Sequence, residues 1–216
     1  MSTQQVPSLP GTKFPWVETL PVGPDHLDTV WGWMTPPSVR CWLDFGGGRQ
    51  ELPKRQLYMM LTSPRVCARL FRLPGDTQPL GIVCLNNIDD LMDAMDVWVV
   101  RDVSVRRTVR NDVAGAIVSV MATGFLDYGR QIANSWVVAS HRASIYLHKV
   151  VGMKRSGIQR SRHVMEGRRY DRWTYDMTLS DFGALYPDVL SEQGRTFRTH
   201  IPTPPSADGN PEPTRV

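Results

Sequence analysis

The sequence lacks the features of a membrane-spanning or secreted protein. None of its apolar runs reaches the roughly eighteen residues that a transmembrane helix needs. Residues 1–5 have neither the positive charge nor the apolar core of a secretory leader. The three cysteines, Cys41, Cys67 and Cys84, are odd in number and far apart, which excludes a disulfide framework or a zinc pattern. We therefore expect a cytoplasmic protein with buried cysteines and no membrane contact.

Positive charge is present, and it comes mostly from arginine. The net charge is +4 at pH 7. The planar guanidinium matches phosphate well, so coenzyme A, a nucleotide-sugar and nucleic acid are all compatible ligands, and a solvated surface is the alternative. The arginines form two clusters, one with Arg101, Arg106, Arg107 and Arg110 and one with Arg155, Arg160, Arg162, Arg168, Arg169 and Arg172.

The length of 216 residues suits one domain, and no internal repeat or second linker divides it. Residues 1–15 are rich in proline, glycine, serine and glutamine, which predicts a flexible arm. Residues 191–216 are rich in proline and poor in large apolar residues, which predicts a disordered tail. The domain is therefore expected to span residues 16–190.

The domain reads as alternating strands and helices, and pattern alone supports only a mixed α/β fold. Capping residues, proline stops and a Val- and Trp-rich segment set the element limits. The predicted strands are residues 17–22, 67–73, 80–85, 94–105 and 132–139, with 153–158 and 173–179 paired around an Arg-rich turn. The predicted helices are residues 25–34, 52–61, 111–128 and 141–150.

The most informative segment is residues 140–171, where several signals share one ungapped register. It resembles the C-terminal half of the GNAT N-acetyltransferase superfamily, in particular the branch with ribosomal-protein and nucleotide-amino-sugar acetyltransferases. His141 stands where that family usually has Asn, and Met153 where it has Phe. The resemblance implies a GNAT-like α/β fold with a central mixed, mostly antiparallel sheet flanked by helices. The matching positions are Ser144, Leu147, Gly152, Gly157, Gly167 and Asp171.

The resemblance also implies acetyl-coenzyme A as acyl donor and no metal. The family binds the pyrophosphate on a Gln/Arg-x-x-Gly-x-Gly/Ala loop at a helix N-terminus, where backbone N–H groups attract anions. In this chain the motif falls on residues 108–113 and lacks its glycines: Asn111 and Val113 take their places. Asn tolerates the left-handed turn, and Val113 can pack inward and leave its N–H free. Asp112 must then point away or cap the helix. Arg106, Arg107 and Arg110 supply the positive charge.

Candidate catalytic residues follow from the same resemblance. His148 occupies the place of the family's tyrosine acid, and an imidazole can protonate the leaving thiolate. Tyr146 is the weaker candidate. His141 is expected to contact the pantetheine arm or to cap the helix, and Ser144 to contact the cofactor. Asp96, within the predicted central strand, is the candidate general base.

The acceptor is predicted to be a primary amine of a small molecule such as an amino sugar or amino acid. A protein N-terminus is the alternative within the same chemistry. The missing loop glycines favour a third reading, a non-catalytic protein that binds nucleic acid through its arginines. The sequence leaves a homodimer as an open alternative to a monomer. Four tryptophans near the predicted acceptor side are read mostly as core, with stacking on a sugar or base as the alternative: Trp31, Trp33, Trp42 and Trp98.

Overall fold

A seven-stranded sheet forms the centre of the computed structural model, which describes residues 6–88, 91–105, 109 and 111–191. The strand order is β1-β2-β3-β4-β5-β7-β6, and every neighbouring pair is antiparallel except β4 and β5. The predicted mixed, mostly antiparallel sheet is confirmed. The strands are β1 (Glu18–Pro21), β2 (Val66–Arg72), β3 (Gly81–Asn86), β4 (Ala94–Arg101), β5 (Ile132–Val138), β6 (Lys154–Met165) and β7 (Arg168–Thr178).

Helices cover both faces of the sheet, and each face has its own apolar cluster. Helices α1 and α3 pack on one face, and α4, α5, α6 and α7 contribute to the cluster on the other. None of the helices within the described ranges is long and apolar enough to cross a membrane. The helices are α1 (Leu27–Met34), α2 (Pro37–Arg40), α3 (Lys54–Leu61), α4 (Asp112–Leu126), α5 (Arg142–Val151), α6 (Leu179–Leu185) and α7 (Pro187–Leu190).

Helix α4 is buried along almost its whole length, from Asp112 to Phe125. It packs so closely on β4 that a Cβ at Gly124 would lie 2.1 Å from the sulfur of Met95. The N-terminal segment covers another side of this helix, with Leu9 and Phe14 buried in the same cluster. The prediction of a flexible arm over residues 1–15 is therefore wrong for residues 6–15, because their apolar side chains complete the core.

The parallel pair β4 and β5 separates after three residues. Their register begins at Ala94 with Ile132 and ends at Asp96 with Asn134, although both strands continue beyond it. Neighbouring paired strands lie about 4.8 Å apart, so the two strands leave a wedge-shaped opening where pairing stops. This split exposes unpaired backbone groups of two central strands at one place in the domain.

Three element predictions need correction. The central strand ends at Arg101 and not near residue 105. The C-terminal hairpin is much longer than predicted, because the Arg-rich segment belongs to its strands and the turn is confined to residues 166 and 167. Helix α2, between α1 and α3, and helices α6 and α7, after β7, lie where no helix was predicted. The remaining strands and helices occur in the predicted order.

Candidate active site

A cavity of about 420 Å³ lies in the split between β4 and β5. Its walls come from both faces of the sheet. Ile117 of α4 and Leu147 of α5 contribute from one face, and Met60 of α3 and the segment 42–45 contribute from the other. We call the first side the α4–α5 face and the second the α1–α3 face. The cavity therefore joins the two faces through the sheet.

The turn before α4 keeps a left-handed conformation without glycine. Asn111 precedes the helix with φ 65° and ψ 22°. Asn enters this region more readily than most residues because its short polar side chain bonds locally. The expectation that Asn111 preserves the turn is confirmed.

The Asp112 carboxylate lies at the start of α4 and is paired with an arginine. Its side chain is 1% exposed, and its Oδ2 accepts a 3.0 Å hydrogen bond from Nε of Arg101. Arg101 also donates to the carbonyl oxygens of Asp102 and Val105, each at 2.9 Å. The carboxylate is therefore neutralised beside the helix end.

Val113 fulfils only half of its predicted role. Its side chain is buried in the α4 core as expected. Its N–H is not free, because it donates a 2.8 Å hydrogen bond to Oδ1 of Asp112. The helix end thus offers an anion one backbone donor fewer than predicted. The positive charge expected from Arg106, Arg107 and Arg110 lies outside the described residues.

His141 caps helix α5. Its Nδ1 accepts a 3.0 Å hydrogen bond from the Ser144 N–H, which satisfies one of the unpaired donors of the first helical turn. Burial lowers the pKa of His141, although a backbone hydrogen bond raises it, so the ring is neutral at neutral pH and Nδ1 is free to accept. The capping alternative is confirmed, and His141 and Ser144 both line the cavity. Contact of either residue with a cofactor stays a prediction.

His148 lies in the cavity wall on the α4–α5 face and is 7% exposed. Its Nδ1 is 2.6 Å from the carbonyl oxygen of Ser144, and its Nε2 is 2.9 Å from Oγ of Ser135. A carbonyl can only accept, so Nδ1 carries the proton and Nε2 of the neutral ring accepts from the Ser135 hydroxyl. Burial lowers the pKa of His148 and outweighs the hydrogen bond to Ser144 that raises it. The ring is therefore neutral near pH 7.

Asp96 is the last residue of β4 that pairs with β5, and the split begins there. Alternate residues of this strand belong to opposite faces: Met95 and Val97 pack in the α4 cluster, and Trp98 packs with the α1–α3 cluster. Asp96 therefore shares the face of Trp98. It lines the cavity and accepts a 2.7 Å hydrogen bond from Nδ2 of Asn87. Its role as general base stays a prediction.

A loop on the α1–α3 face forms part of the cavity wall. We call residues 41–50 the acceptor loop, because residues 42–45 line the cavity there. Asp44 forms a buried ion pair with Arg172 of β7, and the two side chains are 7% and 8% exposed. Asp44 also accepts hydrogen bonds from the N–H groups of Gly46 and Gly48. Burial raises the pKa of Asp44, but these partners together hold it below its usual value.

His163 of β6 extends this ion pair into a network. Its Nε2 is 2.7 Å from the carbonyl oxygen of Cys41, so this nitrogen carries the proton, and Nδ1 accepts from Nη2 of Arg172 at 3.2 Å. Burial lowers the pKa of His163, reinforced by the neighbouring Arg172 charge. The neutral ring is therefore the form that fits between Cys41 and Arg172. Sequence reasoning missed this network because Asp44 and Arg172 are 128 positions apart.

Aromatic side chains line much of the acceptor side. Of the four predicted tryptophans, Trp42 and Trp98 line the cavity, Trp33 is buried in the core, and Trp31 is partly exposed. Trp42 packs edge-on against the His141 ring, with 4.3 Å between centroids. Trp136 of β5 also lines the cavity and was not predicted as a site residue. Within the described ranges, no group of three or more His, Cys, Asp or Glu side chains is placed to hold a metal ion.

The sheet order, the single parallel pair and the split after it define the fold of the GNAT N-acetyltransferases. The spermidine N-acetyltransferase of Vibrio cholerae in complex with CoA and spermine aligns with a TM-score of 0.67 and 9% identity, over 77% of this chain and 98% of that one. RimJ of Mycobacterium smegmatis in complex with CoA-disulfide aligns with a TM-score of 0.64 and 12% identity, over 80% of this chain and 88% of that one. No protein-family model and no curated protein matches the sequence.

Proposed function

We propose that the protein is an N-acyltransferase that moves an acetyl group from acetyl-coenzyme A to the primary amine of a small molecule. The observation that carries this proposal is the cavity through the β4–β5 split. It has Ser135 and His148 on the α4–α5 face and Asp96 on the α1–α3 face. Acetyl-coenzyme A supplies the thioester. The protein supplies a donor side and an acceptor side that meet within the sheet.

The residues present fit the acyl end of coenzyme A. The end of β4–β5 pairing leaves backbone N–H groups of β4 beside the cavity, and such donors can stabilise an oxyanion. The left-handed turn at Asn111 and the Arg101-neutralised Asp112 keep the helix end compatible with a pyrophosphate. Arg106, Arg107 and Arg110 remain the proposed phosphate ligands.

The acceptor side fits a compact cationic amine. Asp96 provides a carboxylate for an ammonium group, and the rings of Trp42 and Trp98 provide apolar walls that favour a cation. The acceptor loop is fastened to the C-terminal hairpin, because Gln50 donates a 2.7 Å hydrogen bond to the carbonyl oxygen of Val164. A closed loop leaves less room for a peptide than for a small molecule. We therefore favour an amino sugar, an amino acid or a similar small amine over a protein N-terminus.

Thermal unfolding and thiol release test this function together. Acetyl-coenzyme A at about 100 times its Kd should stabilise the protein by about 2.7 kcal/mol, because it binds only the folded state. A panel of amines assayed by thiol release should then identify an acceptor. Asp96→Asn should reduce kcat/KM for that amine at least tenfold, and Asp76→Asn, at an exposed turn, serves as the matched control. An unchanged melting temperature at millimolar acetyl-coenzyme A would refute the proposal.

A non-catalytic nucleic-acid-binding protein is the second candidate. Five arginines of the second cluster are exposed on the hairpin, which favours a polyanion at that surface. The sixth, Arg172, is not available because it is buried against Asp44. Salt-dependent binding of a duplex, without a response to acetyl-coenzyme A, would support this candidate. The exposed residues are Arg155, Arg160, Arg162, Arg168 and Arg169.

A further inference from the structure

We propose that Ser135 is a catalytic residue, whose hydroxyl relays the proton between the attacking amine, His148 and the departing thiolate. This inference rests on the proposed acetyl transfer and deepens it. Ser135 lies on β5, one residue beyond the last β4–β5 pair, and lines the cavity where the strands separate. Its position thus places a hydroxyl at the meeting point of the two sides of the cavity.

Two hydrogen bonds fix the direction of the relay. The Ser144 carbonyl holds the proton of His148 on Nδ1, at 2.6 Å, so Nε2 is the basic nitrogen. Nε2 faces Oγ of Ser135 at 2.9 Å and accepts its proton. With that proton directed at the ring, the lone pairs of Oγ remain to accept a hydrogen bond from a bound amine. A base oriented by a third group and joined to a hydroxyl is a geometry used for proton transfer and for nucleophilic attack.

The remaining groups around His148 keep its ring in place. Tyr175 of β7 packs against it with 4.5 Å between ring centroids. His141, at the N-cap of the same helix, also lowers the pKa of the His148 ring, but burial is the larger cause. The buried resting ring is therefore neutral, so it can take a proton on Nε2 but has none to give from that nitrogen.

The proton transfers of the reaction then balance within the Ser135–His148 pair. The neutral amine nitrogen forms a bond to the thioester carbonyl carbon and becomes positively charged, while the π pair of the C=O bond moves onto oxygen; this pair re-forms the C=O bond when the C–S bond breaks. Its proton passes to Oγ of Ser135 while the Ser135 proton passes to Nε2 of His148. The C–S bond breaks, its electron pair stays on sulfur, and the proton returns from Nε2 through Ser135 to the thiolate. The products are the amide and the free thiol, and Ser135 and His148 are restored.

Through this relay His148, the predicted general acid, receives the proton that it later donates to the thiolate. A neutral His148 cannot protonate the thiolate in its resting state. It becomes an acid only after Ser135 has delivered the proton of the amine to it. One residue pair therefore serves first as base and then as acid, and Asp96 on the opposite face is left to bind and orient the acceptor.

Substitution of Ser135 tests the relay. Ser135→Ala should lower kcat about 100-fold, the lower end of the range for general acid–base work, and leave the thermal shift by acetyl-coenzyme A unchanged. Ser135→Thr keeps a hydroxyl on a strand and should recover most of the rate. Ser119→Ala removes a buried serine of α4 outside the cavity lining and should leave the rate unchanged.

The outcomes separate the relay from the proposed function. If the unmodified protein transfers acetyl groups and Ser135→Ala does so equally fast, the relay is wrong and the function stands. If the unmodified protein neither binds acetyl-coenzyme A nor transfers acetyl, both are wrong. Intact mass spectrometry after acetyl-coenzyme A without amine should show no added acetyl group, and an acetylated Ser135 would replace the relay by a covalent mechanism.

The imidazole tautomer gives a readout independent of turnover. Nitrogen-15 NMR of the His148 ring should show the proton on Nδ1 and a bare Nε2 at neutral pH. A ring protonated on Nε2 instead would overturn the relay, because Nε2 could then not accept the Ser135 proton.

Discussion

Two buried arginine–aspartate pairs fasten the two ends of the site, and they differ in reach. Arg101 and Asp112 are 11 residues apart and fix the segment between β4 and α4 on the donor side. Arg172 and Asp44 are 128 residues apart and fix the acceptor loop to the C-terminal hairpin. The first pair is completed by two backbone carbonyls, and the second by a histidine and an aromatic ring.

The first pair therefore stabilises a local connection, and the second joins two segments that are distant in the sequence. The donor-side pair stays within one connection of the fold, so it depends on few other elements. The acceptor-side pair depends on β6, β7 and the loop together, with the Arg172 guanidinium 3.9 Å from the centre of the Trp136 ring. It also contains a histidine that must be neutral. We therefore expect the acceptor side to respond to mutation and to pH more strongly than the donor side.

The largest effect is expected from Arg172→Met. Removal of one partner of a buried pair leaves a charge without compensation and typically costs about 3–5 kcal/mol. Urea unfolding should show this loss, and a double variant with Asp44→Asn should recover part of it. Arg168→Met, an exposed arginine on the same strand, is the control and should change the free energy of unfolding by less than about 0.5 kcal/mol. Equal losses in the free energy of unfolding for Arg172→Met and Arg168→Met would show that the Asp44–Arg172 pair contributes no more than an exposed arginine does.

Asp112→Asn should have a smaller effect on the free energy of unfolding, of about 1–3 kcal/mol. The amide oxygen can still accept the Val113 N–H, and Arg101 keeps its bonds to the Asp102 and Val105 carbonyls. Asp127→Asn, at the exposed opposite end of α4, is the control. A loss as large as that of Arg172→Met would remove the proposed distinction between the two pairs.

The smallest effect is a pH dependence carried by His163. Its pKa is lower in the folded state than the value of about 6.5 in the unfolded chain. As the pH falls below about 6.5, the unfolded chain takes up the proton first, so the stability that is full above this value declines. His141 and His148 shift in the same direction. Substitution of His163 alone separates its contribution to the pH dependence from those of His141 and His148.

Urea unfolding of the unmodified protein and of His163→Gln should be compared between about pH 8 and pH 5, the range of histidine titration. The advantage of the unmodified protein should be largest at the upper end and should shrink on acidification. A difference that stays constant across this range would contradict the neutral His163 that the network requires.

Features that depend on local backbone preference were predicted from the sequence. The left-handed turn at Asn111 and the cap at His141 follow from what these side chains do to nearby backbone. Turn residues between strands and a Val- and Trp-rich segment located most of the sheet strands. Only the first part of strand β6 was predicted, because nearly all of its residues are exposed and no apolar period marks the rest. Its length is set by pairing with β7, not by its own pattern.

Contacts between distant segments were not predictable. His148 was identified as a site residue by its position, but its hydrogen bond to Ser135, on another element and 13 residues earlier, was not predicted. The Asp44–Arg172 pair depends on how the acceptor loop meets the hairpin, which no spacing encodes. The inward side chain of Val113 was predicted from sequence, but the capture of its N–H by Asp112 is a detail of one rotamer.

The span of the Asp44–Arg172 contact also has a consequence during synthesis. At about 5–20 residues per second, a ribosome needs roughly 6–26 seconds to add the 128 positions that separate the two residues. Throughout that time Asp44 has been synthesised but Arg172 has not, so the nascent acceptor loop lacks the partner of its ion pair. Contacts of such high sequence separation form late and slow folding. The acceptor wall should therefore be among the last parts of the cavity to close on a newly made chain.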